Sequence, residues 1–155
     1  MDKSRRNVFF KKWKLVLLLI GFVFVLGLFF LWVKFTHLAL YPRSVLIGNT
    51  RYSLEVADTE EEQTRGLGGR KSFCHRCALL FIFPEERYWA FWMKDVRFPI
   101  DIIWLKNDVI VGVEQNLLPL SERVFRSKEE SNRVLEVNAD DINIFRIGEV
   151  VRYEY

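Results

Sequence analysis

The chain has 155 residues, half of them hydrophobic, and a formal net charge of +3. The charge is uneven: residues 1–14 carry six bases and one acid, whereas residues 44–155 carry 15 bases and 19 acids. The larger part is mildly acidic and lacks a basic stripe, which excludes the electrostatic footprint of a nucleic-acid binder.

Leu15 to Val33 is an unbroken apolar run between Lys14 and Lys34. As a helix it spans roughly 28 Å, close to the hydrocarbon thickness of a bilayer. It reads as a single transmembrane anchor at 15–33 that contacts the lipid bilayer. A signal peptide has a shorter apolar core and small residues at its exit. This run leaves through the bulky Leu31-Trp32-Val33-Lys34-Phe35. The basic excess at 1–14 marks a cytoplasmic tail, so the C-terminal domain is expected outside, periplasmic or at the cell surface. Residues 34–43 form a juxtamembrane linker ending near Pro42. Residues 44–155 are long enough for one domain with one core.

That domain reads mostly as strands. Ser44 to Ala57 forms two strands about Gly48-Asn49, a hairpin dipeptide. Thr59-Glu60-Glu61-Glu62 fits a capping box, so a short helix starts at Thr59 and ends in Gly66, Gly68 and Gly69. Ala78 to Phe83 is an apolar strand stopped by Pro84. Tyr88 to Lys94 is aromatic and strand-like, with Trp89, Phe91 and Met93 on one face and Tyr88, Ala90, Trp92 and Lys94 on the other. Ile100 to Leu105 and Val109 to Glu114 flank a short loop at Lys106-Asn107-Asp108. Leu117 to Arg133 is polar and irregular. Val134 to Asn138 is a strand, Asp140 to Phe145 is one helical turn, and Glu149 to Tyr155 is the last strand. The fold class is mainly β: a small β-sandwich or barrel-like domain with one or two short helices, behind a single transmembrane helix. Repeated helical crossovers, which a parallel sheet needs, are absent from the pattern.

An ordered set of segments carries a family resemblance. It runs from Thr64-Arg65-Gly66-Leu67-Gly68-Gly69-Arg70 through Leu79-Leu80-Phe81-Ile82-Phe83-Pro84 to Phe91-Trp92-Met93-Lys94. Phe98-Pro99-Ile100-Asp101-Ile102-Ile103, Val134-Leu135-Glu136-Val137-Asn138-Ala139 and Ile147-Gly148-Glu149 follow. Together they resemble the domain-of-unknown-function 192 family over most of residues 45–155. The resemblance implies a compact, mainly β fold with one short helix and brings no established activity. Gly68 stands where that pattern has methionine, and Asp95-Val96 where it has Asn-Thr.

Candidate ligand-binding residues are Arg65, Arg70, Trp92, Lys94 and Asp101. Asp101 is a lone acid in an apolar strand, and the short connection through Pro99 returns it towards Lys94. The two are expected to pair, either as an ion pair closing a hairpin or as part of a polar-aromatic notch beside Trp92. Arginine forks suit carboxylate or phosphate. Arg65 and Arg70 could equally be helix-end residues tied to Glu61, Glu62 or Asp101. Cys74 and Cys77 are expected to form a disulfide, which an oxidising compartment permits. Redox catalysis of the thioredoxin type places such a pair at the opening of a helix, whereas this pair precedes a strand. Zinc needs about four ligands, and only Cys74, His75 and Cys77 cluster. No catalytic triad, phosphate loop, metal set or cofactor motif stands out. Any one of Glu114, Glu136 and Glu149 could in principle pair with Asp101 as an acid/base dyad. The sequence thus points to a membrane-anchored extracytoplasmic domain that binds a small molecule, glycan or envelope protein without catalysis. The alternative is an envelope enzyme, thiol–disulfide through the cysteines or hydrolytic through Asp101.

Overall fold

The structure, a computed structural model, describes residues 3–139 and 145–155. The expected helical turn at Asp140 to Phe145 falls largely on 140–144, outside the described residues. The chain divides into two compact units, one ending at Tyr41 and one spanning Pro42–Tyr155.

The first unit is helix α1, Lys3–Leu40. Its stretch Val16–Val33 is long and apolar enough to cross a membrane, as an anchor or as a signal sequence. The helix takes in most of the expected linker at 34–43. No proline or glycine interrupts residues 34–40, and Pro42 disfavours helix in the residue before it.

In the second unit, β1 (Ser44–Ile47) and β2 (Thr50–Ala57) pair antiparallel, with Ile47 opposite Thr50 and Gly48 at φ +58 in the turn. Helix α2, Glu60–Arg65, follows. Thr59 and Glu62 form the expected capping box, and Gly66 caps the end at φ 51. Strand β3 is Cys77–Arg87 and lies parallel to β2. α2 therefore serves as a single βαβ crossover in an otherwise antiparallel sheet. β3 also runs through Pro84, where a stop was expected. Its register with β8 (Ser131–Asn138) shifts between Ile82 and Arg87, so Pro84 sits in an irregular stretch that asks for no ladder donor.

Strand β4 (Ala90–Trp92) pairs with β7 (Val124–Arg126) in a two-stranded ribbon. β7 lies inside the stretch that reads as irregular, and β8 starts at Ser131 rather than Val134. β5 (Ile100–Lys106) and β6 (Val109–Leu117) form the expected hairpin, with Asn107 at φ 56 in its turn. β9 is Arg152–Glu154.

The main sheet has the order β6-β5-β8-β3-β2-β1-β9. The outer edge of β6 then meets the segment before β9. The Ile110 N–H donates to the Glu149 carbonyl at 2.9 Å, and the Val151 N–H donates to the Asp108 carbonyl at 2.8 Å. The sheet thereby curls into a half-barrel, as the barrel-like reading expects.

Apolar side chains are buried on both faces of the sheet. One face carries Leu79, Phe81, Ile102, Trp104 and Val134, packed with Phe91 and Met93. The other carries Ala78, Leu80, Ile103, Leu105, Leu135 and Val137. Strand alternation sorts the residues of β5 and β8 between these faces.

Candidate functional site

Strand β8 reads Val134-Leu135-Glu136-Val137, so Glu136 shares the first face with Val134. Across the ladders it stands opposite Leu79 of β3 and Ile102 of β5. A carboxyl is thus set into an apolar wall, with only 3% of the residue exposed. The Gly66-Leu67 backbone lies against it. The Leu67 N–H hydrogen-bonds the carboxylate, and a Cβ built on Gly66 would come within 3.2 Å of Oε2. Gly66 also has φ +51, so a side chain there would meet both strain and crowding. Oε2 is buried without a hydrogen-bond partner. Burial pushes the Glu136 carboxyl up to about 8, against the pull of the Leu67 N–H and the Arg70 guanidinium.

Glu136 lines a cleft of about 380 Å³. α2 and its C-terminal loop contribute Glu60, Arg65 and Leu67, β3 contributes Phe83, and the aromatic segment contributes Trp89, Phe91 and Trp92, with Lys94 beyond. The Trp89 ring stacks on Phe83 at 3.8 Å between centroids. Its backbone carbonyl accepts the Trp104 indole N–H at 3.2 Å. The Trp89 Nε1–H itself is buried without a partner. Phe91 packs edge-on against Phe81, whereas Trp92 is half exposed and carries the Lys94 ammonium 5.6 Å from its ring centroid. The expected alternation of this segment therefore holds, with its second face as aromatic surface.

The DUF192 family model, described as an uncharacterised ACR, matches residues 44–152. The chain belongs to the DUF192 family. No curated protein matches it. Among solved structures, this DUF192 domain resembles a "putative transcription regulator" from Sinorhizobium meliloti 1021. The TM-score is 0.65 at 24% identity, covering 71% of this chain and 90% of that one. It also resembles a protein of unknown function from Novosphingobium aromaticivorans DSM 12444. There the TM-score is 0.64 at 26% identity, covering 70% and 83%. These likenesses support the mainly β fold.

Of the residues singled out in the sequence of this DUF192 domain, Arg65, Trp92 and Lys94 line the cleft. Arg65 also reaches Glu61 at 3.6 Å, the expected helix-end contact. Arg70 stands behind the site: it pairs with Glu55 at 2.7 Å, lies over Phe73 and acts on Glu136 electrostatically. Asp101 does not line the cleft. It pairs with Val137 in the β5–β8 ladder, one step out of phase with Glu136, and so points to the opposite face. Its Oδ1 accepts the Asn116 N–H at 2.7 Å. The expected Lys94–Asp101 ion pair does not form, because the sheet separates them.

Trp89 is absent from the residues singled out in the sequence, and Glu136 figures there only as a conceivable dyad partner of Asp101, not as a ligand-binding residue. The signal for Glu136, a lone acid in an apolar strand, is the same one that drew notice to Asp101. Only the strand register tells the two apart.

Cys74 and Cys77 form a disulfide with Cα atoms 5.4 Å apart. The Asn138 side-chain N–H groups donate to the carbonyls of Phe73 and Cys74, at 2.8 and 3.1 Å, and hold this turn to β8. The pair enters β3 and opens no helix. Among the described residues, no cluster of His, Cys, Asp and Glu could hold a metal ion. Alkylation before and after reduction is expected to reveal two thiols only after reduction. Replacing both cysteines by Ser is expected to leave folding intact and cost about 2 kcal/mol or less, since the closed ring is small. Rapid turnover of a model disulfide by the wild type, lost in that variant, would contradict a structural role.

Proposed function

We propose that this is a membrane-anchored binding protein whose extracytoplasmic domain holds a small molecule or glycan in the Glu136 cleft, without chemistry. One observation carries the reading: Glu136 and Trp89 line the same cleft, and each has a buried polar atom without a partner, Oε2 and Nε1. Each orphan of this kind costs about 1–3 kcal/mol, so a ligand that bonds both recovers that loss. The exposed Trp92 ring adds a stacking surface, and Arg65 and Lys94 add charge at the mouth. A ligand presented on an envelope protein would meet the same groups.

A thermal-shift screen of small molecules and glycans on the full chain in detergent tests this. Ligands of the cleft are expected to raise the melting temperature of wild type, with the shift lost in Trp92→Ala. The reading fails if nothing shifts the wild type, or if every shift survives both Trp92→Ala and Glu136→Gln.

A second reading, an envelope hydrolase, draws support from the same carboxyl. A glutamic acid kept protonated near neutrality by apolar surroundings is in the state of a general acid. In that case the acid is Glu136 rather than Asp101. A ligand consumed by wild type and left intact by Glu136→Gln would favour it.

The anchor and its orientation rest on the apolar run and the basic excess at 1–14. A C-terminal alkaline phosphatase fusion is expected to be active and a reporter that works only in cytoplasm inactive. The reverse pattern would end the extracytoplasmic reading. The regulator description belongs to the Sinorhizobium protein. Here the acidic balance of residues 44–155 speaks against nucleic acid as a partner.

A further inference from the structure

A second, shallower hollow of about 350 Å³ adjoins the cleft. The two share Thr64, Arg65, Trp92 and Lys94, so they form one groove with the half-exposed Trp92 ring between them. The halves differ in chemistry. The inner half is lined by Glu136 and Trp89, each with one orphaned buried polar atom, beside the aromatic Phe83 and Phe91. The outer half holds three bases, Arg65, Lys94 and Arg97, against one acid, Asp95. The Gly68 and Gly69 N–H groups there are already spent, on the carbonyls of Arg65 and Asp95 at 2.9 and 3.0 Å. Side-chain cations therefore supply the recognition.

Each half constrains the occupant. At the inner end, Trp89 Nε1 can only donate, so it needs a ligand oxygen with a free lone pair. Glu136 donates from a protonated carboxyl and accepts when ionised. A hydroxyl serves both groups in either state, being donor and acceptor together. Trp92 offers a flat π face of the kind that stacks against the C–H face of a ring. At the outer end the excess of bases selects negative charge, and the two arginine forks match a carboxylate in shape. Glu60 and Asp95 sit within the groove, where they repel an anion placed away from the bases and so fix its orientation.

Resting on the binding reading above, we infer that the groove recognises an acidic saccharide. One hydroxylated ring enters the Glu136–Trp89 end over Trp92, and a carboxylate faces Arg65, Lys94 and Arg97. Hydroxyls, a ring face and a carboxylate occur together in a uronic acid, whether free or within a polymer.

Trigalacturonate and its methyl ester make the test, since the ester keeps every ring and hydroxyl and loses the charge. Binding to the full chain in detergent micelles is followed by calorimetry and by tryptophan fluorescence. The acid is expected to bind about tenfold tighter than the ester, or better, the range of one or two charge-assisted hydrogen bonds. Lys94→Gln and Arg97→Gln, both at exposed positions, are expected to bring that ratio towards one. High salt should weaken the acid and spare the ester. If acid and ester bind alike and both are lost in Trp92→Ala, the preference for an anion is wrong while the cleft stands as a binding site. If neither binds, the acidic-saccharide inference is overturned whether or not the broader screen finds another ligand. Loss of all hits in that screen overturns the binding reading as well.

Discussion

Replacing Glu136 by Gln is expected to stabilise the protein at alkaline pH and to flatten its stability profile. The native carboxyl titrates at about 8 against an ordinary value of 4.5, with burial as the cause. Between those two values the folded protein keeps a proton that the unfolded chain has released. Folded protein therefore binds more protons than unfolded, and stability must fall as pH rises through the window. Below the window both states are protonated and there is no penalty. Above it the penalty is complete, at about 5 kcal/mol at most. Glutamine keeps an acceptor for the Leu67 N–H and never ionises. Guanidinium unfolding of the full chain at the two ends of the window is the measurement. Wild type should lose several kcal/mol from the acid end to the alkaline end, and the variant little. A wild type with no slope would mean that Glu136 is solvated and the cleft open to water at its floor. Ligands of the folded protein respond to its upper end alone: one that accepts from the protonated carboxyl binds better below about 8, and an amine that pairs with the carboxylate binds better above it.

Much of the fold can be read from the chain because its signals are local. Gly48-Asn49 and Asn107-Asp108 turn where hairpin chemistry requires, and Thr59 caps α2 with Glu62. The alternation from Tyr88 to Lys94 separates buried Phe91 and Met93 from exposed Trp92. What is not legible depends on partners far along the chain. β7 buries only Phe125 and exists because β4 pairs with it. β2 and β3 lie parallel because α2 carries the chain back across the sheet, and a six-residue helix gives little warning of that. The candidate site has the same split. Arg65, Trp92 and Lys94 can be found from residue type and strand period. Choosing Glu136 over Asp101 requires knowing that Ile102, not Asp101, stands opposite Glu136 in the β5–β8 ladder. A one-residue difference in register exchanges the two faces.

Asp101→Ala is expected to destabilise the domain by about 3 kcal/mol, with no help from Lys94. Asp101 is 2% exposed, and its Oδ1 takes the Asn116 N–H at 2.7 Å. That hydrogen bond sits at an irregularity. Ile100 and Ile102 of β5 stand opposite Leu117 and Glu114 of β6, so β6 carries an extra residue, and Asn116 has φ 54. A bulge leaves a backbone donor without its ladder partner, and the carboxylate supplies one. Removing the carboxylate strands that donor in a partly buried place and releases the bulge. Asp101→Asn keeps an oxygen acceptor and should cost less than half as much. An ion pair with Lys94 would instead make the double variant Lys94→Ala with Asp101→Ala less costly than the sum of the singles. With the sheet between them, the two effects are expected to add, and Lys94→Ala alone to change stability little, since its ammonium lies at the exposed mouth of the cleft. Chemical denaturation of the three variants decides the matter. Additivity with a large Asp101 term assigns this acid to the bulge, whereas clear coupling would return it to the site beside Lys94.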